Sequence, residues 1–238
     1  DLDIDLQLGN SSRALQATGN AKQILFLRLD IHDGFHGFTF SDPSGTPPWD
    51  QIFIVDTKFR NLRSNATNGQ AIFISATRMA YIGNSVDTTR SHNSRFPYVG
   101  KGVISNNTHA NPGPTTSNMK IHSTDFPTFP NTFTEQVVIS DNKLSSGSKD
   151  WMIELQPQSR NNDERLRNVI VERNLFKASA GFGDAVIAVS GSEITLRNNI
   201  VDITGSVALA GFHIGRMGLC APACEPLPEN IRIYNNTF

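Results

Sequence analysis

Only two of the 238 residues are cysteine, two are tryptophan and three are tyrosine. That count excludes the dense disulfide framework that holds small secreted domains together. Charged residues make up 18% of the chain and the net charge is −1. The near-balance leaves no basic face of the kind nucleic-acid partners need, so no nucleic acid is expected. No apolar run is long enough to cross a membrane as a helix, so no membrane partner is expected. A helical period is missing as well. No signal peptide is visible; the sequence starts at Asp1 within its own pattern and stops at Phe238 on it. This reads as a processed chain or a fragment, with solenoid caps outside it or replaced by end-to-end or lateral self-association.

What is present is a short strand motif, apolar-x-apolar-x-x-(Asn or small polar)-x-apolar, along the whole length. Its copies are LFLRLDIH (25–32), IFIVDTKF (52–59), MAYIGNSV (79–86), GVISNNTH (102–109), VVISDNKL (137–144), VIVERNLF (169–176), ITLRNNIV (194–201) and IRIYNNTF (231–238). The sixth positions are Asp30, Thr57, Asn84, Asn107, Asn142, Asn174, Asn199 and Asn236, separated by 27, 27, 23, 35, 32, 25 and 37 residues on subtracting consecutive numbers. A period of 20–50 residues signals a solenoid, here a single domain over 1–238. Alternating Val, Ile, Leu and Phe give strands. The Asn that follows suits a bend, because it tolerates left-handed backbone and its amide bonds neighbouring backbone. Stacked at one corner, these amides would form a ladder.

A second set of strands follows: HGFTFS (36–41), AIFISA (71–76), RFPYVG (95–100), NMKIHS (118–123), WMIELQ (151–156), AVIAVS (185–190) and GFHIGR (211–216). Their alternation places Phe38/Phe40, Ile72/Ile74, Met119/Ile121, Ile153/Leu155, Ile187/Val189 and Phe212/Ile214 inward. Lys120/His122, Glu154/Gln156 and His213 then point outward. Strands alternating with loops at this period match a parallel β-helix.

The motifs ERNLF, YNNTF, SDNKL and SNNTH resemble the coils of the right-handed parallel β-helix, or pectin-lyase-like, superfamily. The resemblance covers essentially the whole chain. It implies an all-β, right-handed single-stranded parallel β-helix solenoid of about eight coils. It further implies a protein that handles acidic or complex polysaccharides outside the cytoplasm, secreted or periplasmic; lyases, hydrolases, uronan epimerases and phage tailspikes share the superfamily.

One outward strip gathers the chemistry. Lys120 and His122 share a strand face, and Glu154 and Gln156 should lie beside them on the next coil, at about 4.8 Å. The preceding coil brings Arg90, His92, Arg95, Tyr98 and Lys101; His109 ends an adjacent strand, and His213 lies two coils beyond Glu154. Cleaving a uronan by β-elimination needs a cation to neutralise the C6 carboxylate, a base for the C5 proton and an acid for the leaving oxygen. Lys120 and Arg95 suit the first two roles, His122 a base or acid, and Glu154 a positioning role. Lys101, Tyr98, His109, Gln156 and His213 are the substrate-binding candidates. Arg95-Phe96-Pro97 also resembles the Arg-x-Pro segment of pectate lyases, whose Arg acts as base; the family's second Arg falls at Gly100 here, and its calcium-binding aspartates have no counterpart. Calcium stays the one cofactor to consider, with no metal ligands assigned.

Plainer readings stand beside these. Lys120 and Glu154 could form an ion pair on a solvated sheet, worth under ~1 kcal/mol. His32 and His36 around Asp33-Gly34 fit a turn with partly buried histidines or a metal site. Asp163/Glu164 read as a charged loop tip. Glu154 has no outward carboxylate partner at the spacing hydrolysis requires. Phe96, Tyr98, Phe126 and Phe129 could stack on sugar rings or cover the wall. Cys220 and Cys224, among Pro222, Pro226 and Pro228, suggest a local disulfide; two thiolates without a second pair make a poor zinc site. Besides a lyase, the chain could be an epimerase, a hydrolase, or a non-catalytic polysaccharide-binding, structural or adhesive protein.

Overall fold

The structure, a computed structural model, describes residues 2–7, 9, 11–17, 22–40, 49–63, 68–122, 133–146, 150–156, 166–179, 182, 185–203, 210–215 and 227–238. The described residues are all-β, with no helix among them, and every strand pairing is parallel. Two sheets form, of 8 and 14 strands.

The smaller sheet runs in chain order through Leu2–Asp5, Leu29–His32, Lys58–Leu62, Ser85–Thr89, Thr108–Ala110, Lys143–Ser146, Leu175–Ala178 and Ile200–Asp202. The larger sheet has two arms. The first contains Arg13–Gln16, His36–Phe40, Met119–Ile121, Ile153–Leu155, Ala185–Val189 and Ala210–Ile214; the second contains Lys22–Leu27, Asp50–Val55, Thr134–Ser140, Leu166–Glu172, Ser192–Arg197 and Arg232–Tyr234. Two long strands, Gln70–Ile82 and Ser94–Ser105, run through both arms and join them.

Alternation explains which side chains fill the space between the sheets. Ile72, Met119, Ile153 and Ile187 from the first arm, Ile52, Ile104, Val137 and Val169 from the second, and Ile31, Phe59, Leu144 and Phe176 from the smaller sheet share one core. Apolar side chains at successive levels of a parallel stack bury one another, at about 25 cal/mol per Å² removed from water.

The corner between the second arm and the smaller sheet is built from two adjacent columns. Arg28, Asp56, Gly83, Asn106, Asp141, Arg173, Asn198 and Asn235 all have φ between 50° and 70°. Next to them the expected amide ladder is present. Asn107 Nδ2 donates to Asn142 Oδ1, Asn142 Nδ2 to Asn174 Oδ1 and Asn174 Nδ2 to Asn199 Oδ1, each near 2.9–3.0 Å, while backbone N–H groups donate to the same oxygens. The ladder satisfies backbone groups that a tight bend buries. One register differs from the sequence reading. Leu25 pairs with Phe53 and Asp30 with Lys58, so Leu29, not Asp30, stands opposite Thr57.

Candidate functional site

The first arm places the expected residues in one lateral row. Phe73 pairs with Arg95, Arg95 with Lys120, Lys120 with Glu154, Glu154 with Ala188, and Ala188 with His213. The row lies on the face opposite the core, as alternation requires: Met119, Ile121, Ile153 and Leu155 are fully buried on the other side.

The face is nevertheless not solvated. Glu154, Gln156 and His122 have 0% exposure, and Lys120 keeps 14% of its side chain in contact with solvent. The Lys120–Glu154 ion pair forms as the spacing implies, but as a covered pair rather than a surface one. Removing either partner of such a pair leaves a buried charge uncompensated.

Glu154 is fully engaged. Beside Lys120 Nζ, it accepts from Ser117 Oγ at 2.9 Å and from Gln156 Nε2. Arg95 Nε donates to His122 Nε2 at 3.1 Å, and its guanidinium sits 5.2 Å from the centroid of Phe73. Because His122 Nε2 accepts, its proton resides on Nδ1, and that buried nitrogen has no partner among the described residues; neither has Gln156 Oε1. His92 joins through its Nδ1, which accepts from the Ser117 backbone N–H at 3.0 Å.

Burial dominates the electrostatics. It holds His122 well below the ordinary imidazole value, reinforced by the charges of Lys120 and Arg95. His92 is lowered by the same causes in the same order. Burial also lowers Arg95 from the usual guanidinium value, against the opposing pull of Glu154. With both imidazoles neutral and Lys120 balancing Glu154, the cluster carries the single positive charge of Arg95. It offers a cation, an unused N–H donor and an unused carbonyl acceptor in a desolvated setting where each acts strongly.

The structure thus brings Arg95, Lys120, His122, Glu154 and Gln156 together and adds His92 and Ser117. Ser117 carries no signal in the sequence, since it precedes its strand. Other candidates lie elsewhere. His109 is a correction: it is fully buried between the sheets, contacting Tyr81 Oη through Nε2 at 3.3 Å and the Asn118 carbonyl through Nδ1 at 3.3 Å, and burial drives its pKa down to about 3, so no polymer reaches it. Tyr98 is only 6% exposed and Phe96 fully buried, which favours wall-covering over sugar stacking. Lys101 is exposed on the second arm, beyond the bend. His213 lies at the end of the row, edge-on to Trp151 at 6.4 Å. Cys220, Cys224, Phe126, Phe129, Asp163 and Glu164 lie outside the described residues.

A separate acidic group surrounds His32, whose ring nitrogens bond Asp33 at 2.6 Å and Asp3 at 2.9 Å. Ligand atoms of Asp5, His32 and Asp33 lie within 4.8 Å of one another. His36 is instead buried, which pushes its pKa down to about 4.

No protein-family model matches the sequence, and no significant match is found among curated proteins or solved structures.

Proposed function

We propose that the chain is a right-handed single-stranded parallel β-helix of about eight coils, and that it acts outside the cytoplasm as a lyase on a uronate-containing polysaccharide. The stacking is supported by three parallel strand columns that repeat in chain order. The observation that carries the activity is Arg95: burial depresses its pKa, Phe73 and His122 fix its position, and Lys120 stands next to it in register.

In this reading Lys120 draws in the C6 carboxylate and raises the acidity of the C5 proton, and Arg95 acts in the neutral form that its lowered pKa makes accessible. Arg95 takes that proton. The C5–H electrons form the C4–C5 double bond, the C4–O bond breaks with its electron pair on oxygen, and water protonates the leaving oxygen, while His122 holds Arg95 in place through its Nε2. Glu154 positions Lys120.

Exposure of the intact chain to a panel of uronans, with and without a calcium chelator, tests the reading. Release of unsaturated, ultraviolet-absorbing product is expected, and its loss in the Lys120→Ala/His122→Ala double variant. Undiminished release by that variant removes the site assignment. No product from any uronan favours a binding protein, a second reading supported by the complete burial of Glu154, His122 and Gln156.

A further inference from the structure

The outward face of the second arm differs from the covered row in every respect. Lateral pairing aligns Leu25, Phe53, Ala80, Val103, Val138 and Ile170 into one continuous apolar rail. Leu25 is 58% exposed, Val103 40% and Phe53 38%. Beside the rail runs a polar row that includes Gln51, Lys101, Gln136 and Asn168. Together they line a shallow groove with a volume of about 480 Å³ between Phe53 and Val138. A second hollow of about 450 Å³ continues it from Ile170 to Arg232. Six inter-strand steps separate Phe53 from Arg232, roughly 29 Å at about 4.8 Å each.

The shape restricts the occupant. A strip about 30 Å long and 10 Å wide offers roughly 300 Å², well short of the ~800 Å² per partner that a stable dimer uses. From Asp50–Val55 to Ser192–Arg197 the strands beneath it are paired on both sides; the end strands Lys22–Leu27 and Arg232–Tyr234 are paired on one side only, and a peptide strand added there would run across the groove's end rather than along it. A narrow polymer recognised by side chains alone remains. An apolar rail beside amides suits sugar rings, with C–H faces on Phe53, Val103 and Val138 and hydroxyls on Gln51, Gln136 and Asn168. The charge is cationic on balance: Arg78 is held by Asp50 at 2.8 Å, Arg232 and the exposed Glu193 both line the second hollow, and Lys101 has no carboxylate partner among the described residues.

We infer that this groove is a second glycan site, separate from the Arg95 cluster, which holds an extended acidic polysaccharide chain along the stacking direction. It rests on the substrate class of the proposed function, but on different residues. The test is electrophoresis of the chain through native gels containing polygalacturonate, alginate or a neutral β-glucan. Retardation in an acidic gel is expected, with roughly five- to tenfold weaker binding for Phe53→Ser and for Lys101→Glu. Both side chains are at the surface, so the variants should keep the wild-type denaturation midpoint. The Lys120→Ala/His122→Ala variant, which strands the buried Glu154 and is therefore first checked for a folded baseline in urea, should migrate as wild type. Equal retardation of Phe53→Ser, Lys101→Glu and wild type overturns the inference. So does absence of wild-type retardation in every acidic gel, or its loss only when Lys120 and His122 are replaced. Retardation through the groove without any unsaturated product keeps the groove and removes the lyase.

Discussion

The amide ladder makes a quantitative claim about where stability resides. Asn142 forms four side-chain hydrogen bonds: its Oδ1 accepts from Asn107 N and Nδ2, and its Nδ2 donates to Ile104 O and Asn174 Oδ1, all at 2.9–3.0 Å. Replacement by Ala deletes all four. Asn107 Nδ2 keeps the Tyr81 carbonyl and Asn174 Oδ1 keeps the Asn142 N–H, but the Asn107 N–H loses its acceptor in a site that is 1% exposed. An orphaned buried donor costs about 1–3 kcal/mol and each of the three other lost bonds about 1, so Asn142→Ala should destabilise by roughly 4–6 kcal/mol. The control is Asn236→Ala at the end of the ladder. It also deletes four bonds and frees the Asn199 N–H, but on a half-buried residue at the end of the stack, where water can reach the freed groups, so the cost is smaller, about 1–2 kcal/mol. Urea unfolding of the two variants beside wild type reads the difference, and the Asn142 midpoint should fall by more than about 1 M. Equal shifts, or a shift for Asn142→Ala no larger than that for Asn236→Ala, refute the ladder as a source of stability.

The covered ion pair predicts that Glu154→Gln costs about 3–5 kcal/mol by stranding Lys120 beside Arg95, and that adding Lys120→Met restores at least half of it; a double variant no more stable than the single one would show that the charges are not coupled. The buried histidines set the pH response. His36, at about 4, and His109, at about 3, have folded pKa values below the unfolded value, and His92 and His122 are lowered in the same direction. The unfolded chain therefore binds more protons over this interval, so their stabilisation is complete above about pH 6.5 and is lost as pH falls towards about 4, at up to ~1.4 kcal/mol per pH unit for each histidine. His32 has the opposite sign: the Asp33 hydrogen bond outweighs desolvation and raises its pKa, so its contribution is present below about pH 6.5 and lost as pH rises. Unfolding free energies that stay flat between about pH 7 and 5 would contradict the burial of the four histidines.

Particular residues show what could be read from the sequence. The outward row was legible because Met119/Ile121 and Ile153/Leu155 leave Lys120 and Glu154 no other face. The Asn column was legible because its residue type recurs at a fixed place in each motif. The register of the first copy was not: Ile24, Leu25, Phe26 and Leu27 are all apolar, so alternation there has no phase, and a one-residue slip exchanges the two faces. His109 did carry a signal. The eighth positions of neighbouring copies are Val86, Leu144 and Phe176, an inward apolar column, and His109 pairs with Val86 and Leu144 in it. The burial of His122, Glu154 and Gln156 had no signal, because alternation assigns a side chain to a sheet face and says nothing of what covers that face.

The two faces are mechanically one object. Arg95 and Lys101 occupy the same strand, Ser94–Ser105, on either side of the register shift between Arg95 and Tyr98. At about 3.3 Å per residue they stand roughly 20 Å apart along a backbone that is paired on both sides up to Arg95 and from Gly102 on, and with Gln70–Ile82 in between. Paired strands resist hinge motion, since bending this one breaks its ladder bonds to Gln70–Ile82. A polymer held at Lys101 is therefore placed at a fixed distance from Arg95, without a conformational change to bring the two together. The same argument bears on access. A cluster with Glu154 and His122 fully covered can meet a polymer only through the partly exposed Arg95 and Lys120, which is the side of the row that the joining strand connects to the groove.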